Sequence, residues 1–324
     1  MGRRRKGEAV SGWICLDKPL DMGSTEAVTR VRRLFNAQKA GHAGTLDPLA
    51  TGVLPIALGE ATKTVPFLME ADKVYRFAIA WGSTTASFDR EGEVVATSDV
   101  RPTPEQVRRA LPRFVGEIDQ VPPDYSAIKV DGQRAYDLAR EGVAMALKPR
   151  RVTIHSAEVV DESDKTSGEG CIEIEVHCGK GVYVRAIVRD LAEALGACGH
   201  VSALRRLRVG RFSIDHSIAL EKLVEMVQED ESSEVLLPVE TALDDIPALA
   251  LTTEDAFRLK QGRSIVLLPR QVEALRVRLV PRTVGGQDVS RTVLTTHQGR
   301  AQALCELRAG RLNPTRIFHL DQES

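Results

Sequence analysis

The stretch GHAGTLDPLATG, residues 41–52, holds one carboxylate, Asp47, followed at once by Pro48, with glycines at 41, 44 and 52. Such an aspartate has two readings. Asp-Pro pairs start turns and helices, so Asp47 can be a turn cap. It can equally be an exposed nucleophile or base on a rigid loop, with glycine letting a substrate approach the backbone. GEATKT, residues 59–64, fails as a Walker A loop, because that motif needs glycine where Thr62 stands. Lys63 is left as a counter-charge for a phosphate or carboxylate, or as an ordinary lysine near a helix start. Tyr75, in KVYRF, suits cross-strand packing or a surface on which a base stacks. In GKGVYVRAIVRD, Tyr183 and Arg185 stand two apart, the spacing of one face of a strand, and the arginine calls for a carboxylate or phosphate partner.

Other chemistries are excluded by what the spacing lacks. The five cysteines form no C-x-x-C pair, and the seven histidines form neither H-x-x-x-H nor H-E-x-x-H. Reduced thiols are expected, with no disulfide framework, no metal and no cofactor. No run approaches the ~18 apolar residues that span a bilayer. The N-terminal MGRRRKGEAV has a basic cluster but no apolar segment behind it, so it reads as a tail able to touch a polyanion rather than as a secretory signal. The net charge of −1 conceals a division. Residues 221–245 carry nine acids and one lysine, which leaves the rest of the chain at +7. Basic clusters at Arg3–Lys6, Lys148–Arg151, Lys180–Arg189 and Arg205–Arg211 can neutralise phosphates or form solvated faces.

The elements that must position these residues follow from periodicity. The spacing predicts a short strand over Trp13–Leu16, a turn at Asp17–Pro19, and a helix capped by Ser24 or Thr25 and running to about Phe35. Residues 73–82 alternate as a strand, and EGEVVATSDV returns as a hairpin strand. TPEQVRRALPRFVG reads as a helix with Thr103 as cap and Pro104 in its first turn. Pro122–Pro123 interrupt the chain, Asp131–Gly132 signals a turn, and 134–141 suits a short helix. RRVTIHSAEVVD and CIEIEVHC give strands, the second entering a helix through Gly179–Lys180–Gly181. The acidic segment reads as a helix with a loop. From about Ile246 a short helix leads into β-rich pieces that suit a small barrel. The fold class is α+β with a mixed, mainly antiparallel sheet.

GHAGTLDPLATGVLPIALGEATK, KVYRF, PPDYSAIKVDGQRAYDLAREG, GKGVYVRAIVRDLAEALG and HVSALRRLRVGRF occur in this order. Together they resemble the bacterial tRNA pseudouridine synthase B (TruB) family, densely over about residues 11–215 and loosely beyond. The resemblance implies a cytoplasmic enzyme that isomerises the uridine at position 55 in the tRNA T arm. It places the catalytic aspartate on Asp47, the tyrosine that lies against the target base on Tyr75, and the arginine that pairs with the aspartate on Arg185. It places substrate contacts on His42, Lys63, Tyr183 and Leu204. It implies a pseudouridine synthase domain over 1–240 with a central cleft, an RNA-gripping insertion over 122–150, and a PUA-like RNA-binding module over 246–324 that meets the acceptor stem. The expected partner is tRNA, with no membrane, no nucleotide cofactor and a monomeric chain.

Such a reaction breaks the N1–C1′ bond, turns the uracil and rejoins it through C5, after the base has been flipped out at a cost of a few kcal/mol. Asp47 then either attacks C1′ or assists removal of the C2′ proton on a glycal route. Two rivals stand beside this reading. A non-catalytic tRNA chaperone would use the same basic surface. An aspartate glycoside hydrolase would need a second carboxylate, for which Asp89 in SFDREGE is the candidate.

Overall fold

The computed structural model describes residues 7–126, 128–130, 133–134, 147–160 and 171–320. The basic cluster Arg3–Lys6, the Asp131–Gly132 turn and the helix expected over 134–141 lie wholly or almost wholly outside them. The chain divides into two compact units. One comprises the residues up to Pro48, Gly52–Glu70 and everything from Val209 onward; the other comprises Leu49–Thr51 and Ala71–Arg208. No helix among the described residues is long and apolar enough to cross a membrane.

In the first unit, Trp13, Ile14, Cys15 and Leu16 are all buried, so the Gly12–Lys18 strand is covered on both faces. It runs antiparallel to Ala50–Leu58, with Trp13 opposite Ala57 and Leu16 opposite Leu54, and parallel to Ile218–Ala219. The strand continues through Lys18, where a turn was expected. Ala40–His42 pairs with the far end of Ala50–Leu58, His42 opposite Ile56. The Ser24–Leu34 helix buries Ala27 and Val31. Its N-cap position is Gly23, with no side-chain cap, so the expected serine or threonine cap is corrected: Ser24 is inside the helix and its hydroxyl is used elsewhere.

The C-terminal residues of this unit form a five-stranded sheet in the order Ala248–Ala250, Thr292–His297, Arg300–Arg308, Arg311–Ile317, Ile265–Val266. The Thr253–Lys260 helix, whose N-terminus is capped by the Thr252 side chain, contributes Leu259 to the core of this module beside Ile265, Val293, Cys305 and Leu312. The VGGQD segment makes a small hairpin, Thr283–Val284 with Gln287–Asp288.

The second unit is a sheet with helices packed on one face. Strand Gly199–Val209 neighbours Lys73–Trp81, followed by Ile172–Cys178, Arg150–Val159 and Gly116–Gln120. The last four are joined antiparallel. The Pro104–Ala110 helix has the expected Thr103 cap, closed reciprocally by Gln106. The Val184–Ala194 helix places Val184, Ile187, Val188 and Leu191 at helical spacing on the core that Phe77, Ile79, Ile154, Ile174 and Val176 build from the sheet. Tyr183 and Arg185 are therefore not on a strand. Tyr183 is the N-cap of this helix and Arg185 is its second residue. The apolar period of 3.6 over 184–191 outweighs the β-rich look of VYVRAIV.

Candidate active site

Asp47 is exposed, while the backbone on either side of it is fixed. Leu46 before it is 4 % exposed, and both of its peptide groups are held by one hydroxyl: Leu46 N–H donates to Ser24 Oγ at 2.8 Å, and Ser24 Oγ–H donates to Leu46 O at 2.8 Å. After it, the Pro48 carbonyl accepts from Asp21 N–H at 3.0 Å and from Lys18 Nζ at 3.3 Å. Lys18 is fully buried, and its ammonium also donates to the carbonyls of Met22 (2.7 Å) and Pro19 (2.8 Å). A buried ammonium is tolerable only with such donors satisfied. Two segments of chain, residues 18–22 and the loop at Pro48, thus meet on one cation. Gly44 and Gly52, at φ of +97° and +99°, bracket the loop in backbone conformations that other residues rarely adopt. An exposed side chain on a backbone held on both sides suits a catalytic base or nucleophile.

Two other expected site residues lie in the same unit. His42 is half-buried at the end of its short strand. Lys63 is tied down: its ammonium meets Glu60 at 2.6 Å and donates to the Ile317 carbonyl at 2.7 Å, while the same Glu60 oxygen accepts from His319 N–H at 2.7 Å. In this structure Lys63 and Glu60 clasp the end of the C-terminal strand.

The second unit carries Tyr75, Tyr183, Arg185 and Leu204. Tyr75 and Leu204, on Lys73–Trp81 and Gly199–Val209, are half-buried and pack against the same apolar core. On the other face of the Tyr75 strand, Arg76 pairs with its cross-strand neighbour Glu175 at 2.9 Å. Tyr183 is placed by a buried amide. Its N–H donates to Gln120 Oε1 at 2.8 Å and its carbonyl accepts from Gln120 Nε2 at 3.2 Å.

Arg185 is 7 % exposed and sits in the first turn of its helix, where the macrodipole disfavours a cation. One opposing charge is Asp89, whose carboxylate lies 3.4 Å from Arg185 Nη1. The guanidinium also donates to the carbonyls of Ser87 (3.2 Å) and Tyr125 (2.7 Å). One turn on, Arg189 donates to Val121 O at 2.9 Å and lies over the Phe88 ring at 5.7 Å. The two arginines grip the 86–89 loop and the 121–125 segment from one helix face. Asp89 is oriented in turn by Ser87 Oγ–H and by Glu91 N–H, which both donate to its carboxylate. Asp89 thus anchors Arg185 to the 86–89 loop.

Two family models match the chain: "TruB family pseudouridylate synthase (N terminal domain)" over residues 32–184 and "tRNA pseudouridylate synthase B C-terminal domain" over 185–244. The chain belongs to the TruB family of pseudouridylate synthases. It is a pseudouridine-forming isomerase. Its relatives include the protein named tRNA pseudouridine synthase B from Caulobacter sp. (strain K31), 66 % identical over 320 residues that cover 99 % of this chain and all of that one. The protein of the same name from Rhodospirillum rubrum is 45 % identical, with 99 % and 100 % covered. Among solved structures, a chain of a "Cbf5-Nop10-Gar1 Complex" superposes with a TM-score of 0.68 at 24 % identity, over 95 % of this chain and 85 % of that one. At that identity the TruB fold is what the two share.

Some residues that hold these candidate side chains were not candidates for chemistry in the sequence. Lys18 carried a signal, a lysine that follows Asp17 after the apolar run Trp13–Leu16 and stands just before a proline. Ser24 read only as a helix cap, and Gln120 carried no signal, since their partners lie 22 and 63 residues away.

Proposed function

We propose that the chain isomerises the uridine at position 55 in the T arm of tRNA, with Asp47 as the catalytic carboxylate. The observation that carries the reading is the exposed Asp47 side chain on a backbone held at Leu46 by Ser24 and at Pro48 by Lys18 and Asp21. In this reading Asp47 attacks C1′ or assists removal of the C2′ proton. Arg185, held by Asp89, Ser87 and Tyr125, pairs with that carboxylate and helps hold its orientation. Tyr75 stacks on the flipped uracil, worth ~1–3 kcal/mol against the cost of unstacking. Tyr183 and Leu204 wall in the detached base, and His42 and Lys63 contact the RNA. Residues 1–240 act as the synthase domain, 122–150 as its RNA-gripping insertion, and 246–324 as a PUA-like module on the acceptor stem. The enzyme works as a cytoplasmic monomer without a cofactor.

Tritium release from 5-tritiated uridine in a T-arm transcript tests the proposal, with a transcript lacking the target uridine as control. Release is expected only from the transcript that contains it. Asp47→Asn is expected to keep tRNA affinity and lose turnover. Substantial release by Asp47→Asn removes Asp47 from the mechanism. No release by the unaltered chain at stoichiometric protein leaves a tRNA chaperone instead.

A further inference from the structure

Asp72, His155 and His177 converge on the solvent side of the second unit, and none of them is among the residues assigned above. His155 Nε2 lies 3.2 Å from one oxygen of Asp72 and His177 Nε2 lies 3.6 Å from the other. The imidazole rings are 4.7 Å apart at 50°, and the three candidate donor atoms all fall within 4.8 Å of one another. The side chains are partly exposed, at 49 %, 39 % and 33 %. They come from three neighbouring strands. Asp72 directly precedes Lys73–Trp81, His177 is on Ile172–Cys178, and His155 is on Arg150–Val159. A β-bulge brings them together. The register passes from Ile154 opposite Cys178 to Ser156 opposite His177, so His155 is the extra residue set against His177. Ile154 and Cys178 are buried on the core side, which leaves the histidine pair on the solvent side.

We propose that these three side chains form a binding site for a first-row divalent transition-metal ion, zinc above all. The donor set of two imidazole nitrogens and one carboxylate oxygen suits zinc, cobalt or nickel and is poor for magnesium or calcium. Two ligands on a tetrahedral ion with bonds of ~2.0–2.1 Å stand about 3.4 Å apart. The two nitrogen–oxygen distances, each to a different oxygen of Asp72, are already close to that. From donor atoms that lie within 4.8 Å of one another, rotation of the partly exposed rings and carboxylate brings one oxygen and the two nitrogens to that spacing. Three protein ligands leave the fourth position to water. One feature opposes the ion. Arg208 Nη2 lies 3.2 Å from His177 Nε2, and this exposed guanidinium must swing away. Once bound, the ion ties the leading end of the Tyr75 strand to the adjacent Ile172–Cys178 and, beyond it, to Arg150–Val159, and stabilises the folded chain by linkage.

The test is calorimetric titration of the EDTA-stripped full chain with zinc chloride at pH 7.5. One equivalent is expected to bind, with an accompanying rise in melting temperature. His155→Ala and His177→Ala should each weaken binding at least ~30-fold, as loss of a ligand does, and Arg208→Gln should tighten it several-fold by removing the competing cation. Diethylpyrocarbonate labelling of the unaltered chain needs no variant: zinc should shield His155 and His177 and leave exposed His216 reactive. The proposal fails if zinc shows no saturable binding, if one-equivalent binding survives in both histidine variants, or if zinc leaves His155 and His177 as reactive as before.

Discussion

Ser24→Ala tests the idea that the backbone around Asp47 is held rather than merely shaped. The hydroxyl of Ser24 is buried and serves both peptide groups of Leu46, each at 2.8 Å. Alanine leaves one N–H and one carbonyl without that partner. A buried polar group stripped of its partner costs about 1–3 kcal/mol, so the pair costs about 2–6 kcal/mol. Alanine returns up to about 0.5 kcal/mol through its better helix propensity. Some relaxation of the loop lowers the total, and about 2–4 kcal/mol is the expected loss, measured as the shift in the urea unfolding midpoint at an unchanged slope. The functional consequence is separate. Relaxation at Leu46 displaces Asp47, and a displacement on the order of 1 Å costs roughly 100-fold in rate. Turnover in the tritium-release assay should therefore fall by about 10–100-fold while tRNA affinity changes little. A variant with both turnover and unfolding midpoint near those of the unaltered chain refutes the reasoning, because it shows that Pro48 and its partners hold the loop alone.

Arg185→Lys should lose at least about 100-fold in turnover, since an ammonium cannot reach Asp89, Ser87 and Tyr125 from one planar fork, and a near-normal rate would make Arg185 a structural residue only. Gln120→Leu strips both peptide groups of Tyr183 and should cost about 2–4 kcal/mol in urea unfolding, whereas an unchanged midpoint would show that water replaces the amide. Burial pushes the thiols of Cys15, Cys178 and Cys305 up to about 12, so Ellman's reagent at pH 8 should leave these three unmodified in the folded chain. The same raised values fix a sign. An unfolded thiol ionises near ~8.5, so the folded state keeps its full advantage below that pH and loses it as the pH climbs toward 12, by up to about 1.4 kcal/mol per pH unit for each thiol. The urea midpoint should fall steadily above about pH 9 and fall less in the Cys178→Ala variant.

Much of the fold was legible because its signals are local. The Thr103 cap with Pro104, the alternation of KVYRFAIAW and the change of texture near Ile246 all depend on neighbours a few residues apart, and each corresponds to an observed element. The error at Arg185 was also local in origin. VYVRAIV satisfies a strand template and a helix template at once, and the core built by Phe77, Ile174 and Val176 selects the helix. Ser24 looked like a cap by type and position, yet the hydroxyl it offers is taken by Leu46 across the chain.

By itself the sequence determined the family, through five motifs in order, and the identity of the exposed carboxylate within the most specific of them. Those are properties of residue type and spacing, which no fold is needed to read. Only the tertiary structure decided what holds each group. It gave Asp47 its fixed backbone through Lys18, Ser24 and Asp21, gave Arg185 to Asp89, and set His155 against His177 by one bulge. The physical reason is common to all three. A buried cation, a buried amide or a displaced register is defined by its partners, and those partners lie tens of residues away along the chain.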